Sequence, residues 1–234
     1  MPRHFQRELE RLKRKLLGLS ALVGENLRDA IKAVGEYDLV LADKVREVDL
    51  EIDQIEIDVE EDCLKILALH QPVAIDLRLI VAILKINNDL ERIGDLSENI
   101  ARQVNHGPII VNDSPSLEIH GMDKKVQRML NDALDAFVNL DVELAREVCI
   151  NDDQVDEINA RIHQESKEAI TADNSNTEYA LQLLSISRYL ERIADHTTNI
   201  AEDVIYLVEG EIIRHGRDNT VDSEIDPRVP SSRR

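Results

Sequence analysis

Apolar residues recur every three to four positions along most of this chain, which is the spacing of one face of an α-helix. The first such segment covers residues 4–35. Its apolar positions are Leu9, Leu12, Leu16, Leu19, Val23, Leu27, Ile31 and Val34. This spacing predicts one long amphipathic helix at the start of the chain.

The same spacing predicts five further helices, which are separated by short polar segments or by segments that contain Pro and Gly. They are expected over residues 39–70, 72–105, 117–140, 141–171 and 177–215. Pro72 is expected to open the third helix, because Pro is favoured in the first turn. Residues 107–116 contain two Pro and one Gly, and are predicted to form a linker. Residues 216–234 show no helical period and are predicted to form a flexible tail.

The two halves of the chain repeat each other at a fixed offset. A set of residues recurs identically 103 positions later, namely Asp38, Leu41, Ala42, Val45, Asp49, Asp53 and Ile55. After a shift of three residues in one connection, LERIGD at 90–95 recurs as LERIAD at 190–195. The repeat predicts an all-α fold of two tandem pseudo-symmetric three-helix bundles, over residues 1–106 and 117–215.

Composition supports this fold and restricts the function. Hydrophobic residues form 43% of the chain, which is enough for a core, while aromatic residues form only 3%, which favours helix bundles over β-sandwiches. The formal net charge of -19 argues against binding to nucleic acid, whose phosphates require a basic surface. Metal ions or cationic partners fit this charge better.

Several features predict a soluble, cytoplasmic protein. The two cysteines, Cys63 and Cys149, are expected to be buried reduced thiols, although the sequence leaves a disulfide between them open. The basic residues 13–15 precede a short apolar stretch, as in a signal peptide, but the helical pattern runs through both and favours a helix. The longest apolar run, residues 79–84, is too short to cross a bilayer.

Acidic residues form stripes on the second and third predicted helices and on their counterparts in the second half. In the first half these positions are Asp49, Asp53, Glu56 and Glu60, then Glu91, Asp95, Glu98 and Asn99. In the second half they are Asp152, Asp156, Asn159 and His163, then Glu191, Asp195, Asn199 and Glu202. Neighbouring antiparallel helices would place the two stripes of each half side by side.

Facing carboxylates repel each other unless protons or cations offset the charge, and oxygen-rich sites suit Mg, Mn or Fe ions. The alternative is that the stripes are ordinary solvated helix faces, which is the usual meaning of a charge run. Their recurrence in both halves favours the metal site. His163 and His196 are open to either interpretation, as ligands or as surface residues.

A basic segment at the start of the chain stands out against the acidic whole. It comprises Arg3, Arg7, Arg11, Lys13, Arg14 and Lys15. Its simplest interpretation is a solvated helix face that pairs with Glu8 and Glu10. The alternative is a docking surface for an acidic partner, or for peripheral association with the inner membrane face.

Two longer motifs stand out, QPVAIDLRLIVAILKINNDLERIGD at 71–95 and RYLERIADHTTNIAEDVIYLVEGE at 188–211. They resemble the PhoU family of phosphate-transport regulators, and the resemblance covers about residues 5–212. It implies a non-enzymatic cytoplasmic protein, expected as a homodimer, that represses the phosphate-starvation response. Its expected partners are the ATPase subunit of the phosphate ABC transporter and a sensor histidine kinase.

The resemblance also implies metal binding through acidic motifs, with iron, manganese, zinc or magnesium as the ion. The motifs fall here on Asp49, Asp53, Glu91, Asp95, Asp152, Asp156, Glu191 and Asp195, and Glu56 and His196 complete the candidate ligands. The first half has Leu96 where the family commonly has His, and the second half has Asn159 and His163 in place of acids. The two sites are therefore expected to differ.

Two other functions remain open from the residues alone. A carboxylate-bridged dimetal enzyme would use a Glu-x-x-His motif on each of two helices, and the stripes lack this pair. The sequence also lacks a nucleophile elbow and a phosphate-binding loop, so no catalytic residues are assigned. A metal-free helical adaptor is the third alternative.

Overall fold

The computed structural model describes residues 3–108, 114–173 and 177–210 of the 234-residue chain. The predicted tail at 216–234 and part of the predicted linker lie outside these ranges. The helices are α1 (Arg3–Glu36), α2 (Leu39–His70), α3 (Ile75–Ala101), α4 (Ser114–Asn139), α5 (Val142–Ala172) and α6 (Thr177–Glu209). A short 3-10 helix, Arg102–His106, follows α3. The described ranges contain no strand, which confirms the all-α prediction.

The helices form two three-helix bundles, α1–α3 and α4–α6, as the repeat predicts. The bundles meet mainly through α3 against α6, with a smaller contact of α1 against α4. A continuous cluster of buried aliphatic side chains runs through both, including Leu19, Ile83, Leu90, Val126 and Leu190. Burial of these stripes is the main stabilising term, because helices of this kind are marginal in isolation.

Equivalent turns join the first two helices of each bundle. Tyr37 and Leu140, which are 103 positions apart, both adopt positive φ, at 55° and 54°. The following residue caps the next helix in each case. Asp38 Oδ1 accepts from the amides of Val40 and Leu41, and Asp141 Oδ1 accepts from the amide of Leu144. The repeat therefore extends to the details of the turns.

The third helix begins at Ile75, so the prediction that Pro72 opens it is wrong. Gln71 adopts the left-handed conformation with φ 47°, and its amide donates to Leu67 O, which ends α2. A residue before Pro is disfavoured in the α region, which accounts for this end. Ala74 also has positive φ, at 52°, and the chain turns back between these two residues.

Two other helix ends differ from the predictions. The fourth helix begins at Ser114, three residues before its predicted start, because a Pro in the first turn does not interrupt a helix. The sixth helix ends at Glu209 and not near residue 215, because Gly210 adopts φ 77° and its amide donates to Tyr206 O. Among the described helices, none combines the length and the apolar composition that crossing a bilayer requires.

Candidate metal-binding sites

The antiparallel packing of α2 against α3 brings acids from the two predicted stripes together. They are Asp49 and Asp53 of α2 and Glu91 and Asp95 of α3. Burial, together with the negative charge of Asp95 and other nearby acids, raises the pKa values of the first three. We call these four residues the first acidic cluster. The prediction that the stripes of the first half face each other is met by these four side chains.

Asp49 is the most buried member of the first acidic cluster, with 8% of its surface exposed. Burial, followed by the negative charges of Asp53 and Asp95, raises the pKa of Asp49 to about 7. Its Oδ1 atom is buried and has no hydrogen-bond partner among the described residues. A buried carboxylate oxygen without a donor is in a position to receive a cation.

Gly94 allows α3 to approach Asp49 closely. A Cβ atom at this position would lie 3.0 Å from Asp49 Oδ1 and 3.2 Å from Ile52 Cγ2. The repeat has Ala194 at the corresponding position, where it is fully buried. The Gly in LERIGD is thus explained by the close approach of α2 to α3.

The second half forms an equivalent cluster between α5 and α6. Burial, followed by the charges of Asp195 and Asp156, raises the pKa of Asp152 to about 7. Asp152 Oδ1 is also buried without a hydrogen-bond partner in the described ranges. Burial, followed by the negative charges of Asp195 and Asp156, likewise raises the pKa of Glu191. We call these four residues the second acidic cluster.

Other predicted ligands lie at the edges of the first cluster. Burial, followed by the charges of Glu60 and Asp53, raises the pKa of Glu56, and Asn87 Nδ2 donates to its Oε1 atom at 3.2 Å. Glu98 is engaged by two guanidinium groups, those of Arg46 at 3.4 Å and Arg102 at 2.8 Å. Glu98 is therefore partly neutralised by the protein itself.

His196 follows Asp195 in the sequence, but its side chain pairs with a residue of the first bundle. Its Nδ1 atom lies 2.8 Å from Asp89 Oδ1 on α3, across the contact between the bundles. Its charge lowers the pKa of the adjacent Asp195, although burial and Asp156 raise that pKa more strongly. His196 thus pairs with a residue of the other half, while its charge acts on Asp195 of the second half. The sequence could not reveal Asp89, which is 107 positions away.

The donor set of both clusters consists of carboxylate oxygens, which suits hard or borderline ions such as Mg²⁺, Mn²⁺ and iron. Burial raises the pKa of Cys63 to about 12 and that of Cys149 to about 11, so both are neutral free thiols. Neither offers the thiolate that soft ions prefer.

Within the described residues, the carboxylate oxygens of the clusters do not converge in threes within 4.8 Å. One ligand atom each from His4, Glu8 and His70 does converge within 4.8 Å, at the end of the first bundle where α1 begins and α2 ends. Sequence inspection missed it, since His70 is 62 positions from Glu8.

The basic segment at the start of α1 is partly paired: its predicted partner Glu10 contacts Lys13, whereas its predicted partner Glu8 contacts His4 and His70. Lys15 Nζ lies 2.6 Å from Asp62 Oδ2 on α2, and Lys13 Nζ lies 4.0 Å from Glu10 Oε1. Lys13 and Arg14 also line a groove with Phe137 at the contact between the bundles.

The fold and the clusters define a class of protein: an all-α repeat of two three-helix bundles with acids paired between two helices of each. The sequence profile of the PhoU domain matches residues 16–104 and 119–204, one match in each half. The chain therefore belongs to the PhoU family.

Named relatives and solved structures agree with this assignment. The chain is 40% identical over 217 residues to the "Phosphate-specific transport system accessory protein PhoU homolog" of Pseudomonas aeruginosa, covering 90% of this chain and 88% of the relative. It is 34% identical over 217 residues to the Escherichia coli "Phosphate-specific transport system accessory protein PhoU", with the same coverage.

The fold superimposes on the crystal structure of PhoU from Pseudomonas aeruginosa with a TM-score of 0.84, at 39% identity and covering 88% of this chain and all of that one. It also matches the "phosphate transport system regulatory protein PhoU" of Streptococcus pneumoniae. That match has a TM-score of 0.83 at 32% identity, and covers 90% of this chain and 100% of the other.

Proposed function

We propose that this chain is a cytoplasmic, non-enzymatic negative regulator of phosphate uptake and of phosphate-starvation signalling. The observation that carries the proposal is the PhoU domain present in both halves, together with relatives that are named accessory or regulatory proteins of phosphate transport. The absence of a Glu-x-x-His pair on the stripes weighs against a dimetal enzyme.

The proposed partners are the ATPase subunit of the phosphate ABC transporter and a sensor histidine kinase. An exposed apolar surface around the connection between α2 and α3 supports docking of a protein. Its residues are Leu69, Val73, Ile75 and Leu77, which expose 74%, 74%, 55% and 41% of their surface. Several exposed aliphatic side chains in one short segment are characteristic of an interaction surface.

We also propose that metal ions bind in the two acidic clusters. The orphaned oxygens of Asp49 and Asp152 and the carboxylate donor set support this proposal. In the first half the ligands would be Asp49, Asp53, Glu91 and Asp95, with Glu56 at the edge. In the second half they would be Asp152, Asp156, Glu191 and Asp195, with His196 beside them. A bound cation would offset the repulsion between the facing helices.

The regulatory proposal is tested by deleting the gene and measuring a phosphate-responsive reporter. Deletion should derepress the reporter at high phosphate, and the wild-type chain should restore repression. The affinity-tagged chain should retain the ATPase subunit and the sensor kinase. Unchanged expression after deletion, together with no retention of either partner, would contradict the proposal.

The metal proposal is tested by elemental analysis of freshly purified protein. Wild type should contain Fe, Mn, Zn or Mg, and Asp53→Asn/Asp95→Asn should contain less while the second cluster stays occupied. A matched control is Asp43→Asn/Asp135→Asn, which removes the same charge from exposed positions. If the wild type contains no metal and added ions leave its melting temperature unchanged, the protein is a metal-free adaptor.

We further propose that the chain forms a homodimer in solution, as the family resemblance implies. Sedimentation equilibrium of the full chain at micromolar concentration tests this directly. A mass close to 53 kDa, twice the 26.6 kDa of one chain, is the expected result, and a monomer mass at all concentrations would refute it.

A further inference from the structure

Three ligand-type side chains meet at the end of the first bundle, away from both acidic clusters. His4 and Glu8 lie one turn apart on the same face of α1, and His70 is the last residue of α2. One nitrogen of each imidazole and an oxygen of Glu8 all lie within 4.8 Å of one another. Glu8 and His70 are half-buried, with 31% and 21% of their side chains exposed, and His4 is exposed.

The carboxylate of Glu8 lies between the two imidazoles and uses a different oxygen toward each. Its Oε1 atom is 3.2 Å from His4 Nδ1, and its Oε2 atom is 2.5 Å from His70 Nε2. The Phe5 ring packs against His70, with the ring centroids 5.1 Å apart, and only 5% of the Phe5 surface is exposed. The position of the His70 ring is therefore fixed by packing and by Glu8.

These distances are close to those of a zinc site. Ligand atoms around a tetrahedral Zn²⁺ ion lie about 3.3 Å apart, given bonds near 2.0 Å. The contact of His4 with Oε1 already has this length. His70 contacts Oε2, so the carboxylate would have to rotate to present one oxygen to the ion, and the His70 contact would open by about 0.8 Å. Rotation of the Glu8 side chain, which is 31% exposed, allows a change of this size without movement of the His70 ring.

We propose that His4, Glu8 and His70 bind one Zn²⁺ ion, which joins the start of α1 to the end of α2. Two imidazoles and one carboxylate are the protein ligands of many zinc sites, and a water or a partner side chain fills the fourth position. The site is chemically distinct from the acidic clusters, whose donors are mainly carboxylate oxygens. It is also independent of the proposed regulatory function.

The neighbouring charges restrict the affinity. Arg11, Lys65 and Asp62 line the same depression as Glu8. The positive charges of Arg11 and Lys65 oppose the binding of any cation here and so weaken the affinity for zinc. Because the three ligand atoms form a single set, we expect one equivalent of zinc.

The test is a Zn²⁺ titration of the full chain, followed by NMR of the imidazole signals. Millimolar Mg²⁺ is included throughout, because Mg²⁺ occupies oxygen sites and binds imidazole poorly. In wild type, one equivalent of Zn²⁺ should shift the His4 and His70 signals together. His70→Asn and Glu8→Gln should each weaken zinc binding by at least about tenfold.

His106→Asn is the matched control, because His106 also lies near a glutamate, at 3.5 Å from Glu178, but has no second imidazole beside it. It should leave the first equivalent of zinc unchanged. Far-UV circular dichroism establishes that each variant is folded. Unshifted His4 and His70 signals after one equivalent, or equal loss of affinity in His106→Asn and His70→Asn, would overturn the proposal.

Discussion

The Nδ1 atom of His196 on α6 lies 2.8 Å from Oδ1 of Asp89 on α3, so a direct polar contact joins the two bundles. Asn199 Nδ2 donates to the same Asp89 oxygen at 3.3 Å. The repeat does not duplicate this contact, because Leu96 and Tyr189 occupy the corresponding positions 100 residues away. The interface is therefore asymmetric even though each bundle copies the other.

Substitution of His196 by Ala should destabilise the protein by about 1 kcal/mol, because it removes a half-buried hydrogen bond and leaves Asp89 less satisfied. Urea unfolding at neutral pH in the presence of a chelator measures the change. His106→Ala is the control, and we expect it to be nearly neutral, since His106 is half-exposed. Equal effects of the two substitutions would show that the contact with Asp89 contributes no stability.

Substitution of Gly94 by Ala should destabilise the protein by about 1 kcal/mol. Overpacking against Asp49 and Ile52 costs roughly 1–3 kcal/mol, and the better helix propensity of Ala returns up to about 1 kcal/mol. Gly18→Ala is the control, because no atom lies within 4 Å of its added Cβ, and it should be stabilising. Denaturant midpoints for both variants test the prediction, which fails if Gly94→Ala is as stabilising as Gly18→Ala.

Metal-free protein should lose stability as the pH rises from about 4 to about 7. Asp49 and Asp152 have folded-state pKa values of about 7, above the ordinary value, so the folded state holds more protons than the unfolded state in this window. The loss is on the order of 1–2 kcal/mol for each aspartate after allowance for solvent screening.

The measurement is urea unfolding at pH 5 and pH 8 in a chelator. Asp49→Asn should reduce the difference between the two pH values, whereas Asp43→Asn, at an exposed position, should not. Greater stability of the wild type at pH 8 than at pH 5 would show that these carboxyls are not repelled in the folded protein.

Removal of the two helix caps should have unequal costs. Asp38→Ala leaves two amides without an acceptor, while Asp141→Ala leaves one, so both should destabilise by about 1 kcal/mol with Asp38 the larger. Thermal unfolding of the two variants beside Asp43→Ala provides the comparison. An Asp141 effect larger than that of Asp38 would contradict the cap geometry.

The sequence was sufficient for the order of the six helices and for the pairing of the stripes, although not for every helix end, because order and pairing follow from local periodicity and the repeat. Asp49, Asp53, Glu91 and Asp95 come together since antiparallel neighbours in a hairpin must place equivalent faces in contact. The duplicated capping residue Asp38 was visible as part of the fixed offset. These features required no knowledge of distant contacts.

The remaining features depend on long-range packing or on unusual backbone conformations. The start of α3 was misplaced because the positive φ of Ala74 has no signal in an Ala residue. The contact of His196 with Asp89 and the meeting of His4 with His70 join residues far apart in the chain. Periodicity describes which face of a helix is apolar, but it does not specify which residues of another helix lie opposite.

The contact between α3 and α6 has a mechanical consequence for the two acidic clusters. Each cluster has two of its four carboxylates on one of these two helices, and the two helices pack on each other where the bundles meet. Any change in the distance between α2 and α3 is therefore expected to alter the surface on which α6 packs. A rearrangement within one bundle would thus change the packing surface of the other.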